Sequence, residues 1–431
     1  PIRRRIGTDP DEARRVAAET NARLESGRPT TAAFRPVAVT ELVRDWLDFH
    51  ESVRRSSLAT IRRYRAATQH LVDFASGPDG FRSAHELDTQ RFAHHLRTVP
   101  VSSNGHANTP KRLLRDKGVQ FILGACRSLY SFAARRRVLP PYFENPFSEL
   151  GIERLQVEDA KSIHVFSSVE AAAFLEACDD WQFPIFFALC QTGLRPGELV
   201  HVLIDDADLE RRVLHIRCRP TLGWQTKTRN ERIIPILPVT AEVLRRVIGT
   251  RSAGVLFRRR RFTDGERPPL GDRDARALEQ ALRERTVRFR KGHHREPSRL
   301  ERSDLARRLW SDAGMIRPSR LRLAFMQVTG RIGLGHVTAP KTWRHTFATT
   351  LQDANVDPLI RQQVMGHSPG TGHRSSGGLG MTSIYTHTRP ETYRRQICRA
   401  LSLNTKVLEI TRTRLACGDR AALPAMNKGG I

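Results

Sequence analysis

Two arginines, a histidine and a tyrosine follow one another along this chain. Arg195 stands in Thr192-Gly193-Leu194-Arg195-Pro196-Gly197-Glu198-Leu199 and Arg344 in Lys341-Thr342-Trp343-Arg344-His345-Thr346-Phe347. His367 stands in Gly366-His367-Ser368 and Tyr385 in Ile384-Tyr385-Thr386-His387. These are the parts needed to cut a phosphodiester without a metal. Displacement at phosphorus builds negative charge on the equatorial oxygens, and a guanidinium, planar and always charged, meets it with two parallel hydrogen bonds. A phenol, with an ordinary pKa of about 10, can attack phosphorus and leave a 3′-phosphotyrosine bond. The departing 5′ oxygen must gain a proton, which a lysine can give as general acid. The covalent link keeps the energy of the broken bond, so rejoining needs no ATP. No tight Asp/Glu cluster that would hold a metal is evident.

Taken singly, each residue has an ordinary reading. Among 72 lysines and arginines, an ion-pairing arginine is the default for Arg195 or Arg344. His367 alone reads as a core histidine satisfied by backbone. Tyr385 competes with Tyr393, but Glu391-Thr392-Tyr393-Arg394-Arg395 lacks the motif around Tyr385. What changes the reading is the order of the four motifs and the length of the first two.

In that order the motifs resemble those of the tyrosine recombinase (phage integrase) family of site-specific DNA recombinases. The resemblance covers about residues 165–400 through motifs. It extends more loosely over 37–150, where that family carries a helical core-binding domain. It implies that Arg195 and Arg344 clamp the phosphate, that His367 donates a hydrogen bond to it, and that Tyr385 is the nucleophile. Lys341 occupies the position where the family most often has histidine. Lys227, in Thr226-Lys227-Thr228-Arg229-Asn230-Glu231-Arg232-Ile233-Ile234-Pro235, matches the catalytic lysine of a β-hairpin, a position that on its own reads as a solvated turn lysine. Glu198 matches an acidic position that braces Arg195.

The implied activity is cutting and rejoining duplex DNA, with no cofactor and no metal. Its partners would be double-stranded DNA gripped between two domains, other copies of the chain in a tetramer on paired sites, and accessory DNA-bending proteins. The region after Tyr385 would pack on a neighbouring protomer. The chain would be cytoplasmic and nucleoid-associated. A type IB topoisomerase shares the residue set but relaxes supercoils as a monomer. A non-catalytic DNA-binding accessory protein is the rival of a different class, and a metal nuclease is more distant. The sequence departs from the family at Lys341, in the long arginine-rich stretch before it, and in the His367–Tyr385 gap. That gap of eighteen residues exceeds the usual spacing and holds Gly370, Gly372, Gly377, Gly378 and Gly380.

The elements that must position these residues are legible from apolar spacing. The expected fold is multidomain and mainly α. It joins an N-terminal SAM-like four-helix core-binding domain to an α+β catalytic domain with a small antiparallel β-sheet. Residues 1–36 read as a basic flexible arm. Within 37–150, Thr40 can cap a first helix, and a second from Ser57 places Ile61, Tyr64, Leu71 and Phe74 on one stripe. A third spans about 89–98, and a fourth carries Val119, Ile122, Leu123, Cys126, Leu129 and Phe132. Their arginine-bearing faces could lie on DNA or simply be solvated.

Residues 151–163, with the polar stretch from 147, read as a linker, and 164–403 as the catalytic domain. Ser167 to Glu170 form a capping box. An apolar helix ends at Gly193, and Pro196 opens the next. Strands cover 213–218 and 232–236. The arginine-rich stretch 251–335 holds some helix near 273–290 and 300–313, and reads either as a DNA-contacting insertion or as a solvated loop. Helices follow at 341–352 and 357–365 and from the 380s to 401, and 404–431 is a tail.

Bulk composition agrees with a polyanion partner. The chain has 431 residues, enough for two or three cores, and 72 Lys+Arg against 45 Asp+Glu, a formal charge of +27. Each phosphate a cation neutralises releases counterions on binding. The excess is mostly arginine and runs the whole length of the chain. The six cysteines lack any C-x-x-C pair, so neither a zinc knuckle nor a redox motif is expected, and most read as reduced core thiols. No apolar run approaches the ~20 residues of a membrane span.

Overall fold

Contacts divide the chain into two units, Pro1–Ser162 and Ile163–Ile431. The structure is a computed structural model that describes residues 9–25, 36–78, 80–102, 108–140, 144–158, 162–367 and 388–421.

In the first unit, helix α1 (Pro10–Glu25) stands where the sequence suggested a flexible arm. Proline at its first position and Asp11 and Glu12 in its first turn suit a helix N-terminus. Helix α2 (Val39–Asp48) starts from Ala38 rather than from Thr40, with no side-chain cap. A bridge between Ala38 and Ser83 holds the chain there instead. Helix α3 (Leu58–Ala75) begins where Ser57 accepts the Thr60 amide. Helix α4 (Thr89–Thr98) begins where Asp88 accepts the amides of Gln90 and Arg91. Strands β1 (Pro100–Ser102) and β2 (Lys111–Leu113) pair antiparallel, and helix α5 (Asp116–Arg135) follows. The core between these helices buries Trp46, Leu71, Phe92, Leu96, Leu129 and Tyr130.

The stretch from residue 147, read as linker, belongs partly to this core. Phe147 is fully buried against Phe92 and Tyr130, and Ile152 is buried with its carbonyl accepting Gln120 Nε2 at 2.9 Å. Burying two such side chains stabilises by roughly 1.5–3 kcal/mol each, which outweighs the polar character of their neighbours.

The second unit opens with α6 (Ser168–Glu176), capped reciprocally by Ser167 and Glu170. Helix α7 (Gln182–Thr192) is apolar on all sides and is its central helix, with Phe183, Ile185, Phe186, Phe187 and Leu189 buried. The one-turn helix α8 (Pro196–Leu199) follows. Strands β3 (Ala207–Asp208), β4 (Val213–Ile216) and β5 (Arg232–Pro235) form an antiparallel sheet in that order, with Leu214 opposite Ile234. Helix α9 (Pro238–Ile248) leads to the arginine-rich stretch.

That stretch is neither a loop nor detached from the unit. It forms α10 (Arg260–Thr263), α11 (Ala275–His293), α12 (Arg299–Asp312) and α13 (Pro318–Arg331). Leu278, Leu309, Trp310, Leu321, Phe325 and Val328 from these helices join the same core as α7. Several arginines point inward after all. Arg251 donates to the carbonyls of Val247, Val255 and Leu256, and Arg259 to Met315 O and Ser311. A guanidinium can satisfy unpaired carbonyls while its aliphatic stem packs, so a high arginine count does not by itself mark a solvated surface.

Helices α14 (Thr342–Asp353) and α15 (Pro358–Met365) carry the downstream motifs, and α16 (Pro390–Ser402) and α17 (Thr405–Ala421) follow. One expectation is corrected here. The stretch from 404 continues as helix rather than as a tail, with Val407 and Leu408 buried. The described residues after Tyr385 pack on their own unit. Ile397, Ala400 and Leu401 lie in the core, and Arg414 donates to the carbonyls of Glu176 and Cys178 at the end of α6. Among the described residues no helix is long and apolar enough to cross a membrane.

Candidate active site

Three reversals of the chain bring the site together. The first is Gly193, which ends α7 with φ +60°. A Cβ at this position would lie 2.3 Å from the Phe347 ring, so glycine is needed for the approach of α14 as well as for the turn. Trp343 and Phe347, one turn apart on α14, are buried in the core. Arg344 sits between them in sequence and is itself only 3% exposed. Its Nη1 donates to Gly193 O at 2.8 Å. Its Nη2 donates to Met365 O and lies 3.3 Å from His367 Nε2. Burial first, and then the neighbouring charge of Arg195, push its pKa down to about 10, which leaves it cationic at neutral pH.

The second reversal is at Arg195, which precedes α8 in extended conformation. Its backbone N–H and Nη1 both donate to Glu198, at 3.0 and 2.7 Å. Glu198 is buried, and burial alone would raise its carboxyl pKa. The hydrogen bonds and charge of Arg232, and then the bonds from Arg195, outweigh that and hold it below its ordinary range. Arg232 donates to Glu198 through Nη2 at 2.7 Å and Nη1 at 3.3 Å, and through Nε to Val364 O at 2.8 Å.

The third reversal is Gly366, with φ +61°, which ends α15 and presents His367 beside Arg344. A Cβ on Gly366 would meet the Arg232 guanidinium at 2.9 Å. His367 is exposed, yet partial burial and then the charges of Arg344, Arg195, Arg232 and Lys341 lower its pKa. These effects disfavour the charged imidazolium. Because the facing guanidinium can only donate, this contact suits the tautomer with Nε2 accepting and the proton on Nδ1.

Of the seven residues singled out by sequence, the structure brings Arg195, Glu198, Arg344 and His367 into one cluster. Lys341, exposed at the start of α14, is close enough for its charge to act on His367. Lys227 is exposed in the β4–β5 connection, where its neighbour Thr228 donates to Gly366 O at 3.0 Å. Tyr385 lies outside the described residues. Tyr393 is spent structurally: its hydroxyl donates to Ile233 O at 2.8 Å and burial pushes its phenol pKa up.

Arg232 is the residue that sequence reasoning missed as a site member. The signal was strand alternation. Arg232, Ile234 and Ile236 are buried while Ile233 is 48% exposed, so the arginine shares the inward face. An arginine on such a face requires a buried partner, which Glu198 supplies.

The model of the phage integrase family matches residues 164–392, more than half of the chain. The chain belongs to the phage integrase family. Solved structures with a similar course include a lambda integrase dimer bound to a COC′ core site. It is 13% identical, with 85% of this chain and 86% of that chain covered and a TM-score of 0.50. The Tn1549 transposon integrase in complex with a circular intermediate DNA is 17% identical, with 84% and 99% covered and a TM-score of 0.49. The XerA recombinase is 17% identical, with 84% and 98% covered and a TM-score of 0.31. A comparison with curated proteins finds no match.

Against that family, the cluster has a plain electrostatic character. Glu198 is the carboxylate that binds Arg195 and Arg232, while Arg344 is held by carbonyls and an imidazole. The positive excess suits an anion with several oxygens, and the donors are already oriented before it arrives.

Proposed function

We propose that this family member is a site-specific DNA recombinase that cuts and rejoins duplex DNA through a 3′-phosphotyrosine intermediate. The observation that carries the reading is the Arg344 guanidinium. It is anchored on the turn before Arg195 and on the turn that presents His367, so the two arginines and the histidine face one small region.

The Tyr385 oxygen attacks phosphorus, its phenol proton passes to solvent, and the P–O5′ bond breaks. Arg195 and Arg344 offset the charge that develops on the equatorial oxygens, and His367 donates from Nδ1–H. Lys341, a cation beside His367, adds a phosphate contact in place of the family's histidine. Lys227 gives the departing 5′ oxygen its proton. Attack of a free 5′ hydroxyl from another strand reverses the step, releases Tyr385 and closes the new phosphodiester.

The partner proposed for both units is double-stranded DNA. In the first unit the helices would form the SAM-like core-binding domain over 37–150, with Arg62 and Arg65 on exposed helix positions that suit backbone phosphates. Two paired sites present four strands to cut, so the proposed working form is a tetramer. The test is a duplex nicked so that the strand segment beyond the cut diffuses away. The wild-type chain should accumulate a covalent protein–DNA adduct on it. Tyr385→Phe should bind the duplex and form none; adduct formed by Tyr385→Phe at the wild-type rate would overturn the assignment.

A further inference from the structure

The arginine-rich helices between β5 and α14 bear on the chemistry from an unexpected direction. The connection between β4 and β5, which carries Lys227, is long and nearly all coil, yet it is pinned at several points. Its first half folds into a tight turn. Leu222 and Gly223 donate to Arg219 O and Pro220 O, and Arg219 and Trp224 exchange both backbone hydrogen bonds. This turn rests on α11 and α12. The Trp310 indole N–H of α12 donates to Leu222 O at 3.0 Å in a buried position. Thr221 donates to Glu279 of α11 at 2.6 Å. Gly223, with φ +68°, lies so close to α12 that a Cβ would stand 2.7 Å from the Ala306 methyl.

The same tryptophan closes a second contact. Its ring meets His201 edge-on at 4.8 Å, and His201 stacks on Trp224 at 3.8 Å with the planes 5° apart. His201 also has Nδ1 2.7 Å from Gly197 O, in the one-turn helix that follows Arg195. Gly197 in turn abuts the Trp224 ring, which a Cβ would meet at 3.3 Å. A column of three rings therefore joins α12, the base of the Lys227 connection and the Arg195 turn. On its other side the connection is held by Thr228 against Gly366. Lys227 falls between these two attachments, three residues after Trp224 and one before Thr228.

We propose that Trp310 is a positioning residue for Lys227: through its bond to Leu222 and its contact with the His201–Trp224 stack, it fixes the base of the lysine-bearing connection relative to Arg195. The inference rests on the reading of Lys227 as the general acid. It assigns the arginine-rich helices a task inside the active site rather than only on the DNA surface. The step affected is proton delivery to the 5′ oxygen as the P–O5′ bond breaks.

A substrate that needs no such proton isolates that step. In a duplex whose scissile 5′ oxygen is replaced by sulfur, the leaving thiolate is a far weaker base and departs unprotonated. Trp310→Phe keeps an aromatic ring and removes the N–H donor. It should slow covalent adduct formation on the ordinary nicked duplex by roughly tenfold or more, as expected when a catalytic group loses its alignment. On the sulfur duplex its rate should be near wild type. Thr221→Ala, at an exposed position, should show the same pattern more weakly and guards against misfolding of the buried variant. Equal slowing on both duplexes, or no slowing on the ordinary one, would overturn the proposal. Lys227→Ala separates the two layers. Recovery of Lys227→Ala on the sulfur duplex sustains the general-acid reading whatever Trp310→Phe does. Failure to recover removes that reading and the positioning role with it.

Discussion

Arg232 donates through both of its terminal nitrogens to Glu198, at 2.7 and 3.3 Å, and both side chains are buried. Arg195, at the start of α8, holds the same carboxylate through its backbone N–H and Nη1. The residue expected to touch phosphate is thus held in place by a carboxylate, and the carboxylate by a second arginine that reaches from β5 to the end of α15.

Glu198→Gln should remove that anchor and leave Arg232 buried without a counter-charge. Breaking a buried pair from one side costs about 3–5 kcal/mol. Urea unfolding of the variant should show a loss of this order, and a loss under about 1 kcal/mol would show that the pair is not structural.

The same carboxyl gives a pH signature. Its folded pKa lies below its ordinary value, so its contribution is fully present above the unfolded value of about 4.3 and is lost as pH falls through the folded one. Unfolding free energy measured from neutral pH downward should therefore drop more steeply in the acid range for the wild type than for Glu198→Gln. Parallel curves would contradict the assignment.

Arg344→Lys keeps the charge and discards the fork. A lysine cannot reach Gly193 O, Met365 O and His367 together while also facing phosphate. Cleavage should fall by about a hundredfold or more. Duplex affinity, carried by many other cations, should change by less than about threefold at fixed salt. A large loss of binding with cleavage intact would reverse the roles assigned here.

Gly193→Ala tests the packing that aligns the two arginines. The left-handed φ and the collision with the Phe347 ring together should cost roughly 2–4 kcal/mol. Gly271, also at positive φ (+64°) but with nothing within 4 Å of an added Cβ, isolates the backbone part. Gly271→Ala should cost about 1–2 kcal/mol. Equal effects of the two substitutions would mean that the Phe347 contact yields easily.

His367 in the free protein should titrate below the ordinary histidine value of about 6.5, since burial and four nearby cations disfavour its charged form. An NMR titration of its ring checks this. A midpoint at or above 6.5 would mean that the surrounding charges are further away than the structure places them.

The legible parts of this protein are those whose signal is local. Ser57, Ser167 and Gly193 each act within one turn of the chain, and each does what its residue type suggests. The helices that the apolar spacing marked out between 57 and 135 are present for the same reason. What stayed hidden depends on partners distant in sequence. Nothing near Phe147 announces that Phe92 and Tyr130 will cover it. The arginines around Arg259 read as solvent-facing because the carbonyls that receive them, at Ser311 and Met315, lie fifty residues downstream. In the site, motif order pointed to Arg195, Arg344 and His367, while Arg232 needed the strand register and Glu198 to become visible. The packing of α16 is written in the apolar stripe of Ile397, Ala400 and Leu401, whereas the helix beyond residue 404 declares itself only once Val407 and Leu408 find their places in the core.

Under the proposed mechanism, one phenol receives the cut strand at the arginine cluster. Digestion of the adduct trapped on the nicked duplex, followed by mass-spectrometric mapping of the nucleotide-bearing peptide, identifies that phenol. The nucleotide should be found as a 3′-phosphate ester on Tyr385, with Tyr393→Phe forming the adduct normally. A nucleotide found on Tyr393 or on any residue other than Tyr385 would contradict the mechanism.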